Sequence, residues 1–166
     1  MHDFTLNGPL YKEAKVWDDS RGFFMEAWKR GEGESWDWKQ QNVSFSKAGV
    51  VRGLHYRARK PEAKLVRCLS GAIEDVSVCL DCGETRFWLL DRPYMSVLIP
   101  PGWAHGFRAK EDSIVSYLVS EVYDHDDALG INPMDRALKD IPWLYRDNLI
   151  LSEQDKRWPL FHDRPI

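Results

Sequence analysis

The 166-residue chain has little cysteine, no excess of positive charge and no long apolar run. Its net charge of -3 provides no broad basic field for nucleic acid or an anionic membrane surface. No apolar run approaches the length needed to span a bilayer, and the N-terminal MHDFTLNGPL lacks the charged and apolar regions of a signal peptide. These absences predict a cytoplasmic protein with neither nucleic acid nor a membrane as a partner.

Cysteine chemistry and nucleotide loops are also poorly represented. The three cysteines are Cys68, Cys79 and Cys82, and the one C-x-x-C pair, CLDC, has no second pair to complete a zinc site. We therefore expect reduced thiols in or near a strand. The chain contains no G-x-G-x-x-G, no G-x-x-x-x-G-K-[ST] and no G-x-S-x-G, which removes the usual signatures of dinucleotide binding, phosphate-loop and serine-hydrolase chemistry.

What the sequence does contain is a β-protein pattern. No linker, repeat or low-complexity segment divides it, so we expect a single domain over 1–166. Gly and Pro occur about every eight to twelve residues, a spacing typical of a β-sandwich or barrel. Helix is scarce, with Ser152 a candidate N-cap and Asp155 at the third helical position. Candidate strands lie at 22–28, 42–48, 50–57, 63–69, 72–80, 86–90, 95–100, 104–109 and 113–123.

The stretch 72–80 shows the clearest alternation. Ala72, Val76, Val78 and Leu80 share one face, which Glu74 interrupts. This pattern predicts a strand with one apolar face.

In the strand at 50–57, Arg52 and His55 are three residues apart, which places them on opposite faces of a regular strand. A period of two places His55 and Arg57 on one face and Arg52 on the other. Arg52 and His55 share a cavity only if an extra residue shifts the register, and a strand glycine often marks such a bulge. We therefore predict a β-bulge at Gly53.

Three side chains, those of His55, Lys64 and Tyr117, suit acid–base chemistry, and each also has a purely structural interpretation. His55 is either a general base or a core histidine bonded to a backbone carbonyl, and Asp155 is a candidate partner for it. Lys64, like Arg52, either meets an anionic group in a cavity or points to solvent. Tyr117 either donates a proton or fills the core.

A metal site is not expected. The turn IPPGWAHGF (99–107) with the upstream GLHY resembles the cupins, whose metal sites usually take two histidines as H-x-H plus a Glu and a later His. The position two after His55 is Arg57, which breaks that set. The sequence therefore predicts no metal and no other cofactor.

Several motifs together resemble the dTDP-4-dehydrorhamnose 3,5-epimerase family, metal-free cupins that act on a nucleotide-linked 4-keto-6-deoxy sugar. They are DSRGFFMEAW, QQNVSFSKAGVVRGLHY, PEAKLVRCLSGAIEDVSV, IPPGWAHGF, YLVSEVY and LSEQD, in the family's order from Asp19 to Asp155. The resemblance implies an all-β, cupin-type jelly-roll barrel or sandwich with short C-terminal helical turns. It also implies a homodimer that exchanges N-terminal segments.

The same resemblance implies roles for individual residues. His55 matches the family's general base, paired with Asp155. Tyr117 matches the proton donor on the opposite sugar face, and Lys64 the group that stabilises the enolate. Tyr123 matches the aromatic that stacks on the base. Arg21 and Glu26 match nucleotide contacts that come from the partner subunit. Positions lining the sugar and diphosphate site are matched by Gln40, Asn42, Ser44, Arg52 and His105.

The chain departs from the family pattern at Ala128, Gln154 and the short 79–88 hairpin, and these departures leave the proposed proton-transfer groups intact. The resemblance therefore implies inversion at C3 and C5, with inversion at one of these centres, or another nucleotide sugar, as alternatives. A 3,4-ketoisomerase and a non-catalytic sugar-nucleotide-binding cupin are further alternatives. The match at Tyr117 argues against the former, and the joint presence of His55, Lys64, Tyr117 and Asp155 against the latter.

Overall fold

The computed structural model describes residues 7–30 and 36–165, in which β-strands dominate. The strands are β1 (Leu10–Glu13), β2 (Val16–Asp19), β3 (Gly22–Met25), β4 (Gln40–Ser46), β5 (Val51–Arg57), β6 (Lys64–Ser70), β7 (Ile73–Cys79), β8 (Thr85–Leu90), β9 (Met95–Ile99), β10 (Trp103–Ala109), β11 (Ser113–Val119) and β12 (Ala128–Gly130). Among the described residues, helix is limited to α1 (Glu153–Arg157) and the 3-10 turns His125–Asp127 and Phe161–Asp163. The all-β class with short C-terminal helical turns is thereby confirmed.

Two five-stranded antiparallel sheets form the body of the fold. The first sheet has the order β1-β9-β6-β11-β4 and the second the order β12-β5-β10-β7-β8, while β2 and β3 form a separate two-stranded ribbon. Two antiparallel sheets exchanging strands in this way form the expected jelly roll. No helix in the described residues is both long and apolar enough to cross a bilayer.

The second sheet is covered on both faces. Its inner face packs on the first sheet through a cluster that includes Val66, Phe107 and Val115. Its outer face packs on the C-terminal segment around Trp143, which is fully buried and donates its indole N–H to the Pro133 carbonyl at 2.9 Å. Because both faces are covered, polar side chains on the inner face are buried and need hydrogen-bond partners.

Strand β7 shows how this double burial departs from a simple alternation. Val76 and Val78 belong to the outer cluster, as the alternation predicts. Glu74 interrupts this face but is buried, and Arg108 Nη1 donates to its Oε2 at 2.7 Å. Asp75 and Ser77, on the opposite face, are also fully buried, so this strand has no solvent face.

The bulge predicted at Gly53 is confirmed. Between β5 and β10, His55 pairs with His105 and Arg52 with Phe107, so three steps on one strand match two on the other. Gly53 has a φ of 137°, and a Cβ there would lie 2.5 Å from Gly106 Cα. A side chain at this position would therefore separate the two strands.

Strand bounds differ from the sequence interpretation at several places. The stretch 22–28 forms a strand only to Met25, and 113–123 ends at Val119, where the chain turns. The short strands β1, β2 and β12 were not predicted because each has only three or four residues. Short segments carry too little periodicity to separate them from loops.

Candidate active site

A cavity of about 330 Å³ opens between the two sheets, and the second sheet's polar inner face forms one of its walls. Nine of the twelve predicted site residues line it, namely Asn42, Ser44, Arg52, His55, Lys64, His105, Tyr117, Tyr123 and Asp155. Gln40 lies on β4 of the first sheet and does not line the cavity; its Nε2 donates to Asn42 Oδ1 at 2.7 Å and its Oε1 accepts from the Tyr123 backbone N–H at 2.9 Å. The structure therefore brings nine residues together that the sequence had singled out before the fold was known.

His55 and Asp155 meet directly, although 100 residues separate them in the chain. His55 Nε2 lies 2.7 Å from Asp155 Oδ1. The His55 side chain is 44% exposed, whereas that of Asp155 is 6% exposed. An ionised Asp155 accepts a hydrogen bond from the His55 Nε2–H group. In that tautomer His55 Nδ1 carries no proton and can take one from a substrate.

Helix α1 holds Asp155 in this position. Ser152 is the N-cap predicted from the sequence, and its Oγ accepts the Asp155 backbone N–H at 3.0 Å. Trp158 donates its indole N–H to Asp155 Oδ1 at 3.2 Å. Burial raises the pKa of Asp155, but the hydrogen bonds from His55, Ser152 and Trp158 outweigh it, so the net pKa is lowered. Asp155 is consequently a fixed anion at neutral pH.

His105, the second histidine that lines the cavity, also pairs with an aspartate. His105 Nε2 is 2.7 Å from Asp75 Oδ2, and the two side chains are 9% and 0% exposed. They come from neighbouring strands, β10 and β7, whose antiparallel pairing brings them together. The sequence analysis identified His105 but missed Asp75, although the β7 alternation places it opposite the apolar face.

The cationic side of the cavity contains Lys64 at the start of β6. Its ammonium lies 3.3 Å from Glu62 Oε1, and the Lys64 side chain is 11% exposed. Glu62 Oε2 in turn lies 3.5 Å from Arg57 Nη1. Neither Glu62 nor Arg57 was predicted as a site residue, although both line the cavity.

Tyr117 lies on β11 in the first sheet, so it faces the cavity from the side opposite His55. Burial raises the pKa of the Tyr117 phenol, the nearby Glu62 carboxylate raises it further, and Arg52 lowers it. Arg52 itself is oriented by Ser46 Oγ, which accepts from its Nε at 2.9 Å. The phenol therefore stays protonated well above neutral pH.

Arg21 and Glu26 lie outside this cavity. Arg21 is 87% exposed and forms a salt bridge of 2.5 Å with Asp19 on the β2–β3 ribbon. Glu26 follows β3 and lies 3.9 Å from Lys29. Within one chain each of these two residues contacts solvent and a residue close to it in sequence, and neither lines the cavity.

The cysteines lie away from this chemistry. Cys68 is buried, which raises the pKa of its thiol to about 11. Burial also raises the pKa of Cys79, which stands at the end of β7. In the ranges 7–30 and 36–165, no three His, Cys, Asp or Glu side chains converge as a metal site would need.

Comparison with known proteins identifies the family of the chain. A sequence model of the dTDP-4-dehydrorhamnose 3,5-epimerase family matches residues 3–163. An enzyme of that name from Methanothermobacter thermautotrophicus is 37% identical over an alignment of 175 residues. The alignment covers 98% of this chain and 94% of the relative.

Solved structures extend the likeness to three dimensions. The dTDP-4-dehydrorhamnose 3,5-epimerase of Bacillus anthracis, with TDP and PPi bound, matches with a TM-score of 0.86 and 34% identity over 96% of this chain and 97% of that one. The dTDP-6-deoxy-D-glucose-3,5-epimerase of Legionella pneumophila, in complex with dTDP-4-keto-L-rhamnose, matches with a TM-score of 0.87 and 29% identity over 93% and 88%. The chain belongs to the dTDP-4-dehydrorhamnose 3,5-epimerase family and is an isomerase with a cupin-like jelly-roll fold.

Proposed function

We propose that this enzyme inverts C3 and C5 of a dTDP-linked 4-keto-6-deoxy sugar, converting dTDP-4-dehydro-6-deoxyglucose to dTDP-4-dehydrorhamnose. The observation that carries this proposal is the placement of His55 and Tyr117 on facing sheets of one cavity. Inversion requires that a proton leave one face of the sugar ring and that another arrive on the opposite face. A base and an acid on opposite walls meet that requirement.

Proton removal is assigned to His55. Its unprotonated Nδ1 takes the proton from the carbon next to the C4 ketone, and the C–H electrons form a C=C bond as the carbonyl becomes an enolate. Asp155, held 2.7 Å away, stabilises the imidazolium that forms. The cost of forming an enolate in water is reduced because Lys64 places a cation near the developing oxyanion.

Proton return is assigned to Tyr117. Its phenol donates to the same carbon from the opposite face, the enolate returns to a ketone, and the centre is inverted. Tyr117 and His55 then exchange their protons with solvent before the next inversion. The elevated pKa of Tyr117 suits this role because the phenol must hold its proton until the enolate forms.

Substrate binding is assigned to the polar residues that surround these groups. Arg52 presents a guanidinium at the cavity rim, which suits diphosphate oxygens. Tyr123 is 64% exposed near the cavity mouth and offers a ring face to the nucleotide base. Sugar and diphosphate contacts are further assigned to Gln40, Asn42, Ser44 and His105. The ligands named for the two solved relatives, TDP and dTDP-4-keto-L-rhamnose, support thymidine as the nucleoside.

A homodimer that exchanges N-terminal segments is part of this proposal. The β2–β3 ribbon pairs with neither large sheet and exposes Phe23 and Phe24 at 56% and 65%. Arg21 and Glu26 lie on or beside this ribbon. In the exchanged dimer, they would complete the cavity of the other subunit. A monomeric mass in solution together with full activity would contradict it.

The deciding experiment is proton NMR in D₂O with dTDP-4-keto-6-deoxyglucose and the enzyme. We expect deuterium to replace hydrogen at both C3 and C5 while dTDP-4-dehydrorhamnose accumulates. Exchange at one carbon alone would indicate a single-centre epimerase. No exchange with this and other nucleotide sugars that bind would leave a binding protein.

A further inference from the structure

Glu62 occupies a central place in the cavity that the proposed reaction leaves without a role. It precedes β6, its side chain is 12% exposed, and it lies between two cations. One carboxylate oxygen is 3.3 Å from Lys64 Nζ and the other is 3.5 Å from Arg57 Nη1. The carboxylate therefore bridges both of them.

The Arg57 side of this bridge is rigidly anchored. Arg57 Nη1 donates to the Val122 carbonyl at 2.8 Å, and its Nε donates to Asp127 Oδ2 at 3.2 Å. The Arg57 side chain is only 5% exposed. Because Arg57 is fixed from two sides, it also fixes Glu62, and Glu62 can in turn define where the flexible Lys64 side chain ends.

The bridge also has an electrostatic consequence for Lys64. An ammonium that is only 11% exposed is costly without a compensating anion, and Glu62 supplies one. Removing that anion would favour a Lys64 conformation that moves its charge toward water. The cation would then be misplaced relative to the substrate carbonyl.

Tyr117 experiences the same carboxylate. Burial raises the pKa of the Tyr117 phenol most. The Glu62 carboxylate raises it further, Arg52 lowers it and Tyr123 raises it. Across β11, Tyr117 is paired with Asn42 on β4 and Val66 on β6, neither of which is charged. The remaining titratable groups that line the cavity with Tyr117 are His55, Tyr56, Arg57, Lys64, His105, Glu121 and Asp155.

We propose that Glu62 is a positioning residue that holds the Lys64 ammonium in the cavity and places a negative charge in the same cavity as the Tyr117 phenol. Both effects act in the same direction, because the reaction needs a cation at the enolate oxygen and a proton on the phenol. This inference rests on the proposed epimerase function for its catalytic meaning, but the two electrostatic links exist without substrate.

Two substitutions separate charge from reach. Glu62→Gln keeps the size of the side chain and removes its charge, whereas Glu62→Asp keeps the charge and shortens the reach to Lys64. Glu84→Gln is the matched control, because Glu84 is also ion-paired, 2.8 Å from Arg86 Nε, but lies outside the cavity. We expect kcat of Glu62→Gln to fall about ten-fold with KM within about three-fold, since one charge-assisted contact is lost at the reacting end.

The pH profile distinguishes this role from a structural one. In Glu62→Gln the alkaline limb of kcat should move to lower pH, whereas in Glu62→Asp the limb should stay while kcat falls. Glu84→Gln should match the wild type in both. A wild-type kcat in Glu62→Gln, or a lowered kcat whose alkaline limb does not move, would overturn the proposal.

A second measurement needs no turnover. Tyrosine labelled with ¹³C at Cζ reports each phenol's titration by NMR, and the Tyr117 signal is assigned by its loss in Tyr117→Phe. We expect Tyr117 to titrate at lower pH in Glu62→Gln than in the wild type. An unchanged titration would overturn the inference even in an active epimerase, and a shifted one would support it even if the substrate proves to be different.

Discussion

Both histidines that line the cavity, His55 and His105, lie 2.7 Å from an aspartate oxygen, yet the two histidine–aspartate pairs are built differently. His55 and Asp155 join a strand to a distant one-turn helix, and the His55 side chain is 44% exposed. His105 and Asp75 join neighbouring strands, and the His105 side chain is 9% exposed. Geometry within the pair is therefore not what distinguishes the two histidines.

The difference in exposure supports the different roles that we propose for them. A general base must reach the substrate carbon and must exchange its proton with solvent between turnovers, and only His55 has that access. His105 is held by a fully buried carboxylate and suits a fixed contact to a substrate oxygen. A histidine beside a carboxylate is thus insufficient to identify the base, and the exposure of the imidazole is the additional criterion.

The largest effect is expected from His55→Ala. Loss of the base should reduce product formation about 10⁴-fold, while dTDP binding stays within about ten-fold, because the base acts mainly in the transition state. Steady-state kinetics and calorimetric titration with dTDP measure the two quantities. His125→Ala is the control, since His125 is 83% exposed outside the cavity. Equal loss of turnover and dTDP binding would contradict the assignment.

The two aspartates offer a direct contrast. Asp155→Asn should lower kcat about 10²-fold, because the imidazolium of His55 loses its anion and the preferred tautomer changes. Asp75→Asn should instead affect KM more than kcat, because it disturbs a substrate contact and leaves the base intact. Kinetics of both variants side by side measure this. A larger fall in kcat for Asp75→Asn than for Asp155→Asn would reverse the roles of the two pairs.

The same contrast shows what the sequence predicts and what it leaves out. Motifs carried by single strands, such as GLHY and AHGF, indicated His55 and His105 because resemblance to a family is read position by position. The Gly53 bulge was predicted from physical reasoning, since Arg52 and His55 can share a cavity in no other register. Ser152 was predicted as a helix cap from local chemistry alone.

Partners brought together by tertiary structure were harder to predict. Asp75 was not predicted, because it lies opposite the apolar face of its strand and nothing local shows that this second face is also buried. The ion pair between Glu62 and Arg57 forms only when β5 and the segment before β6 come together in the fold, so the sequence does not show it. Short strands such as β12 exist because they extend a sheet, and their own sequences carry too few residues to show it.

Asp127 extends the comparison to a buried aspartate whose partner never loses its charge, and its expected effect is the smallest on this scale. Its carboxylate accepts from the Arg59 and Lys60 backbone N–H groups at 2.8 and 3.0 Å and from Arg57 Nε at 3.2 Å. Burial raises the pKa of Asp127, but these hydrogen bonds and the Arg57 charge outweigh it and lower the pKa to about 2.

A lowered pKa in the folded state stabilises the protein above the ordinary carboxyl range, and that stabilisation is lost as pH falls from about 4 towards 2. Asp127→Asn should therefore cost about 2 kcal/mol in the free energy of unfolding at pH 7, the usual scale for hydrogen bonds to a charged group, and much less near pH 2. Urea unfolding at several pH values measures the difference, with the 86% exposed Asp126 replaced by Asn as the control. An equal cost at both pH values would show that shape, not charge, makes Asp127 stabilising, and would separate it from the two aspartates that act by charge on a histidine.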